Sequence, residues 1–241
     1  MLKALGRAFS DFVFPPHCHV CRSFIPEAGR LHICSSCRDS IQLISSPSCT
    51  ICAVPFQGAG QDHLCGSCIK EPPAFDAARA AFVYDGPGRE LIHNFKYENK
   101  IHLRRPLALY VVQVLSEFVS LHRPDMIVPV PLHPKRLRTR GFNQAVLIGE
   151  VLASEWDIPM ERSAMLRTRW TEPQINLAAS QRRENVKGAF AIKKPESVKG
   201  KRILLLDDVY TTGSTVDECS KVLKKGGADE IIVITVARAV I

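Results

Sequence analysis

The sequence predicts an α/β fold, a parallel sheet flanked by helices, preceded by a small cysteine-rich module. Three observations carry that reading. Eight of the nine cysteines fall between residues 18 and 68, as four Cys-x2-Cys pairs. Beyond Pro72-Pro73, short apolar runs alternate with stretches whose apolar residues recur every three or four positions. Several of those runs lack polar alternation, as strands do when both sheet faces are covered. A chain of 241 residues holds one full α/β domain and one small module. We place the boundary at Pro72-Pro73, giving segments 1–73 and 74–241.

Hydrophobic residues make up 46% of the chain and charged residues 23%, which excludes disordered, collagen-like and coiled-coil classes. No apolar run reaches the roughly 18 residues of a membrane-spanning helix, so no membrane insertion is expected. An export signal is not expected either. Its apolar stretch would run through Arg7, Ser10 and Asp11, and no small-residue cleavage site precedes Pro15-Pro16.

Residues 2–14 read as a short amphipathic helix with Leu2, Leu5, Phe9 and Phe12 on one face. Lys3 and Arg7 are its only cations, so it is expected to dock on protein rather than on a membrane. Cys18-x2-Cys21 is followed after twelve residues by Cys34-x2-Cys37. Cys49-x2-Cys52 and Cys65-x2-Cys68 repeat that spacing at an offset of 31, an internal duplication. Two thiolates three residues apart grip one zinc ion from one side, and a second pair completes the tetrahedron. So small a unit cannot bury enough apolar surface to fold alone, and metal binding supplies the folding energy. Four thiolates leave no open position, so both zinc sites read as structural. Sequential pairing is the simpler arrangement, and spacing leaves a cross-braced one open. His17, His19, His32 and His63 lie near the pairs and are expected beside the metal rather than on it. Segment 1–75 carries six Lys/Arg against five Asp/Glu, and 76–241 carries 26 against 19. The cysteine module therefore lacks a basic stripe for nucleic acid.

Each element after Pro72-Pro73 has its own signal. Residues 77–84 read as the first strand, closed by the turn Asp85-Gly86-Pro87-Gly88. Leu103, Leu107, Val111, Val114, Phe118 and Leu121 recur at helical steps and define one buried face. Residues 126–130 form a short apolar strand, and Pro131 and Pro134 mark a loop after it. Asn143 caps the next helix, which runs to about residue 153. Residues 203–206 form a strand without polar interruption. Residues 215–225 form a helix ended by Gly226-Gly227, with Cys219 as a core thiol, and 231–237 form the last strand. Such alternation gives parallel strands joined by right-handed crossovers.

Two strand ends carry the chemistry. After strand 203–206 come Asp207 and Asp208, then Thr211, Thr212, Gly213, Ser214 and Thr215 at the start of a helix. Backbone N–H groups and hydroxyls converging at a helix N-terminus make a phosphate site. Two carboxylates beside it suit sugar hydroxyls or a divalent cation, so a ribose 5-phosphate answers both demands. After strand 126–130 come Lys135, Arg136, Arg138 and Arg140, cations placed for a pyrophosphate at the same sheet edge. They equally fit a nucleic-acid backbone, although no aromatic residue alternates with them.

The 203–215 segment resembles the binding motif of type I phosphoribosyltransferases over thirteen consecutive positions. That resemblance implies catalytic roles for Asp207 and Asp208, holding the ribose hydroxyls directly or through magnesium, with residues 211–215 around the 5′-phosphate. The order of the remaining motifs is similar to the ComF family of competence proteins. Those motifs are Phe95-Lys96-Tyr97, the run from Arg136 to Gln144, Thr171 with Gln174, Arg183, Asn185, and Gly188-Ala189-Phe190. This likeness spans nearly the whole chain. It implies a double zinc ribbon, a type I phosphoribosyltransferase fold, a cytoplasmic location and a role in handling single-stranded DNA. It also places 95–97 where the superfamily builds its acceptor hood, with Lys96 as a substrate contact. Residues 170–183, polar and rich in Gln and Arg, read as a mobile catalytic loop that closes over a bound donor.

Three functions stay open on the sequence. The first is a magnesium-dependent transferase that uses 5-phosphoribosyl-1-pyrophosphate and an acceptor the residues do not identify. The second is a non-catalytic DNA-uptake adaptor whose phosphoribosyl site acts as a sensor. The third treats the ribbons as a docking platform for a helicase-type competence partner.

Overall fold

The computed structural model describes residues 15–26, 31–171 and 179–240. The amphipathic helix expected at 2–14 and the Gln174 position lie outside them. Two short helices, α1 (Ser35–Asp39) and α2 (Gly66–Lys70), sit in the cysteine module. Strand β1 (Ala77–Val83) leads into α3 (Gly86–Tyr97), a 3-10 turn (Ile101–Leu103) and α4 (Arg104–His122). Then come β2 (Met126–Pro129), α5 (Pro134–Arg140) and α6 (Gln144–Trp156). The chain continues with β3 (Met165–Arg167), α7 (Ala179–Val186), β4 (Phe190–Ile192) and α8 (Pro195–Val198). It closes with β5 (Arg202–Tyr210), α9 (Ser214–Lys225) and β6 (Glu230–Arg238).

Four strands form one parallel sheet in the order β1-β6-β5-β2. The central strands β5 and β6 are apolar on both faces, and alternate residues face opposite ways. Leu204, Leu206, Ile232 and Ile234 share a core with α4 and α6. Ile203, Leu205, Ile231 and Val233 share a second core with α9 and β4. The duplicated ribbons divide along the same plane. Cys18, Val20, Ile25 and Ile33 join the first core, whereas Cys49, Cys52 and Cys68 join the second.

Both sheet edges are covered, which removes the exposed ladders that invite strand-to-strand association. The Val83 N–H donates to Gln42 O at 2.8 Å, and the Ala78 N–H donates to Ile51 O at 2.6 Å, so the module lies along β1. At the opposite edge the Ile127 N–H donates to Pro159 O, and the Glu161 N–H to Ile127 O.

Three expectations need correction. The turn at 85–88 is the start of α3, with Pro87 in the first turn, where its missing N–H costs nothing. The loop after β2 contains helix α5, which carries all four cations. Pro134 opens it and Gly141, at φ +82°, ends it. Of the loop expected at 170–183, the described end is helical, because Arg183 lies in α7. The cap at Asn143 forms as expected, its Oδ1 accepting from the Ala145 N–H at 2.9 Å. The antiparallel pair β3–β4 had no sequence signal, since each strand has only three residues.

Candidate functional site

The eight thiols form two sets of four, Cys18, Cys21, Cys34 and Cys37, and Cys49, Cys52, Cys65 and Cys68. Pairing is therefore sequential rather than cross-braced. Zinc–sulfur bonds of about 2.3 Å put tetrahedral sulfurs about 3.8 Å apart. The Cys21 and Cys34 sulfurs lie at 3.6 Å and those of Cys52 and Cys65 at 3.7 Å, so both sets fit a structural zinc ion. Backbone N–H groups aim at the same sulfurs in both repeats. Cys34 N–H donates to Cys18 Sγ at 3.4 Å, and Cys65 N–H donates to Cys49 Sγ at 3.4 Å. Burial pushes the Cys68 thiol up, and neighbouring Cys52 adds to it. A bound cation is what allows four crowded thiols to ionise together. The nearby histidines pair with rings instead. His63 stacks on Phe56 at 3.9 Å, and His19 on His32 at 5.7 Å.

The acidic pair stands at the carboxyl end of β5, the position where open α/β sheets bind ligands. Asp207 Oδ1 accepts from the Asp208 N–H at 2.9 Å. Burial first, and the Asp208 charge second, push the Asp207 carboxyl up to about 7. Lys96 arrives from the last turn of α3 and meets Asp208 Oδ1 at 2.7 Å. Burial opposes the Lys96 charge, but Asp208 and Asp207 outweigh it and hold the ammonium above its ordinary pKa. Lys96 thus sits at the acidic pair, delivered by helix α3. Its neighbour Phe95 is buried against Phe142, with ring centres 5.4 Å apart.

The turn after the pair runs through Thr211, Thr212 and Gly213, with Ser214 and Thr215 opening α9. Thr212 and Ser214 hydroxyls meet at 2.8 Å. Gly213 has φ +79°, and a Cβ there would overlap the hydroxyl and ring of Tyr210. Gly213→Ala is therefore expected to cost about 2 kcal/mol or more in thermal denaturation, through left-handed strain and that clash. An unchanged melting temperature would mean the turn is looser than its geometry. The outer side of this turn borders a groove of about 950 Å³ shared with Cys52, Cys68, Pro72 and Phe75.

Lys135, Arg136 and Arg140 lie on α5, which follows β2, the strand paired with β5. Trp170 packs on this helix, with Lys135 Nζ at 4.9 Å and Arg136 Cζ at 5.5 Å from its ring centre. His133 meets the same ring edge-on at 5.4 Å, and Arg140 lies 5.1 Å from the exposed Tyr97 ring.

Residues 9–69 match the double zinc ribbon domain model, and 143–240 match the phosphoribosyl transferase domain model. Competence protein F of Haemophilus influenzae is 38% identical over 176 residues, covering 71% of this chain and 76% of that one. The chain belongs to the ComF family of competence proteins. DNA utilization protein YhgH of Escherichia coli is 35% identical over 163 residues, 66% of this chain and 71% of that one. Competence protein ComFC of Streptococcus pneumoniae is 28% identical over 163 residues, 66% of this chain and 67% of that one. No helix among the described residues is long and apolar enough to cross a membrane.

Two arginines of this ComF chain gave no sequence signal. Arg167, at the end of β3, is 7% exposed; it donates to the Thr171 hydroxyl and stacks on Phe190, and burial lowers its pKa. Arg238, at the end of β6, is also 7% exposed and donates to Cys52 O at 2.7 Å. Neither stands out in the sequence: Arg167 ends a strand of only three residues, and the Cys52 partner of Arg238 lies 186 positions away.

Proposed function

We propose that this chain binds 5-phosphoribosyl-1-pyrophosphate with magnesium and serves single-stranded DNA handling. One observation carries the first half. Two adjacent carboxylates in the last four residues of a parallel strand are followed, after Val209 and Tyr210, by a hydroxyl-lined turn at a helix N-terminus. The turn supplies backbone N–H groups to a 5′-phosphate, and Asp207 and Asp208 accept from the ribose hydroxyls. Magnesium suits this oxygen donor set and neutralises the pyrophosphate. Lys96, Lys135, Arg136 and Arg140 add cations from the two neighbouring elements, and Asp207 and Asp208 form the catalytic pair wherever an acceptor is present. Calorimetric titration of the zinc-loaded chain with 5-phosphoribosyl-1-pyrophosphate and magnesium tests this reading. Micromolar binding is the expected result, and absence of binding removes the proposal.

The second half rests on helix α5. Tertiary packing places Trp170 and Tyr97 against its cations, with His133 edge-on to Trp170, the combination of charge and stacking surface that single strands require. The printed names of the relatives, competence and DNA utilization, point the same way. Replacing Arg136, Arg138 and Arg140 with glutamine is expected to weaken single-stranded DNA binding. It should also reduce the slope of log affinity against log salt by about 2, three phosphate contacts at roughly 0.7 each. Binding that ignores salt in the unmodified protein would count against this surface.

A further inference from the structure

The two cysteine sets repeat at an offset of 31, so Cys21 and Cys52 hold equivalent positions. Their surroundings differ. Cys21 is exposed, and its sulfur meets the Ser23 hydroxyl at 2.9 Å. Cys52 is buried and touched by Arg238 from the end of β6. One guanidinium nitrogen donates to Cys52 O at 2.7 Å, and the other lies 3.6 Å from the Cys52 sulfur. Among the described residues the first set has no such strut.

Arg238 is also tied to the turn after β5. In the sheet it pairs with Tyr210, and its guanidinium lies 4.2 Å from the Tyr210 ring centre. Phe75, just after the ribbon, meets the same ring edge-on, with ring centres 6.3 Å apart. The Tyr210 hydroxyl lies against Gly213, close enough to leave no space for a Cβ. An unbroken path of contacts therefore runs from a metal-set sulfur through Arg238 and Tyr210 to Gly213. Packed chains of this kind transmit position, because displacing one close-packed group forces its contacting neighbours to shift.

We propose that the second zinc centre is part of the support of the phosphate-binding turn, with Arg238 as the positioning residue between them. The proposal rests on the reading of residues 211–215 as a 5′-phosphate site. Zinc holds the Cys52 knuckle, the knuckle holds Arg238, and Arg238 with Tyr210 holds Gly213. Coupling between two sites is reciprocal. A ligand that orders the turn must slow the opening of the second cysteine set and leave the first unaffected.

The test uses the full zinc-loaded chain and ribose 5-phosphate. Thiol alkylation by N-ethylmaleimide, followed by peptide mass spectrometry, reports Cys18 to Cys37 and Cys49 to Cys68 separately. Saturating ribose 5-phosphate is expected to slow alkylation of the second set about fivefold or more, within the usual range of such coupling, and to leave the first set unchanged. Arg238→Met should erase that protection and weaken ribose 5-phosphate binding, while Arg238→Lys should restore part of both. Should the variants fail to fold, the comparison within the unmodified protein stands by itself. Binding of ribose 5-phosphate with equal alkylation of both sets overturns the coupling and leaves the phosphate reading intact. No binding at all overturns both.

Discussion

Replacing Asp207 and Asp208 together with asparagine is expected to abolish measurable binding of 5-phosphoribosyl-1-pyrophosphate while the protein stays folded. Each carboxylate contributes a charge-assisted hydrogen bond or a cation contact of about 1.5–3 kcal/mol. Loss of both therefore costs roughly a hundredfold or more in affinity. Asparagine keeps the shape and relieves the repulsion between two adjacent acids. It also removes the ion pair to Lys96, so the melting temperature is expected to move by only a few degrees in either direction. The pH dependence follows from Asp207, raised to about 7 by burial and by Asp208. Because the folded state holds this proton more tightly than the unfolded chain, stability falls as pH rises from the ordinary carboxylate range to about 7. Magnesium and ribose hydroxyls need the ionised form. Donor affinity should therefore climb as pH rises toward 7 and level off above it. Calorimetry across that range measures both effects. Wild-type affinity in the double variant would remove the acidic pair from the site.

Removing zinc is expected to be the most damaging single perturbation to the fold. A structural zinc in a unit this small supplies about 10–16 kcal/mol, as much as the entire net stability of a typical domain. Both ribbons also belong to the cores on either side of the sheet, and the module lies along β1. Stripping the metal would expose that edge strand as well as the apolar residues Val20, Ile25 and Ile33. The expected outcome is two zinc equivalents per chain by atomic absorption, then loss of the thermal transition and aggregation when a strong chelator is added. Cys49→Ser should lose one equivalent and destabilise the chain severely. A chelator-treated protein with an unchanged melting curve would show that the ribbons stand apart from the core.

The second strand end illustrates why some features were readable and others not. Asp207, Asp208 and the following hydroxyls lie within nine residues of one another, so their chemistry is written into one stretch of chain. The same holds for each Cys-x2-Cys pair, whose thiols must share a turn to share an ion. The cations of α5 were readable too, but not as a helix. Pro131 and Pro134 signal a loop, while Pro134 in fact occupies a first helical turn, where proline is tolerated. Nor could the sequence show that Trp170 covers Lys135 and Arg136, since no aromatic lies between the cations.

Local spacing alone determined the four Cys-x2-Cys pairs, the parallel α/β class and the acid-and-hydroxyl turn, because each depends on residues a few positions apart or on one repeating period. Tertiary structure decided the rest. It brought Lys96 to Asp208, laid one ribbon on each face of the sheet, and linked Cys52 to Arg238 across 186 positions. Those contacts exist only once strand order and crossovers set which distant segments meet, and no periodicity along the chain encodes that choice.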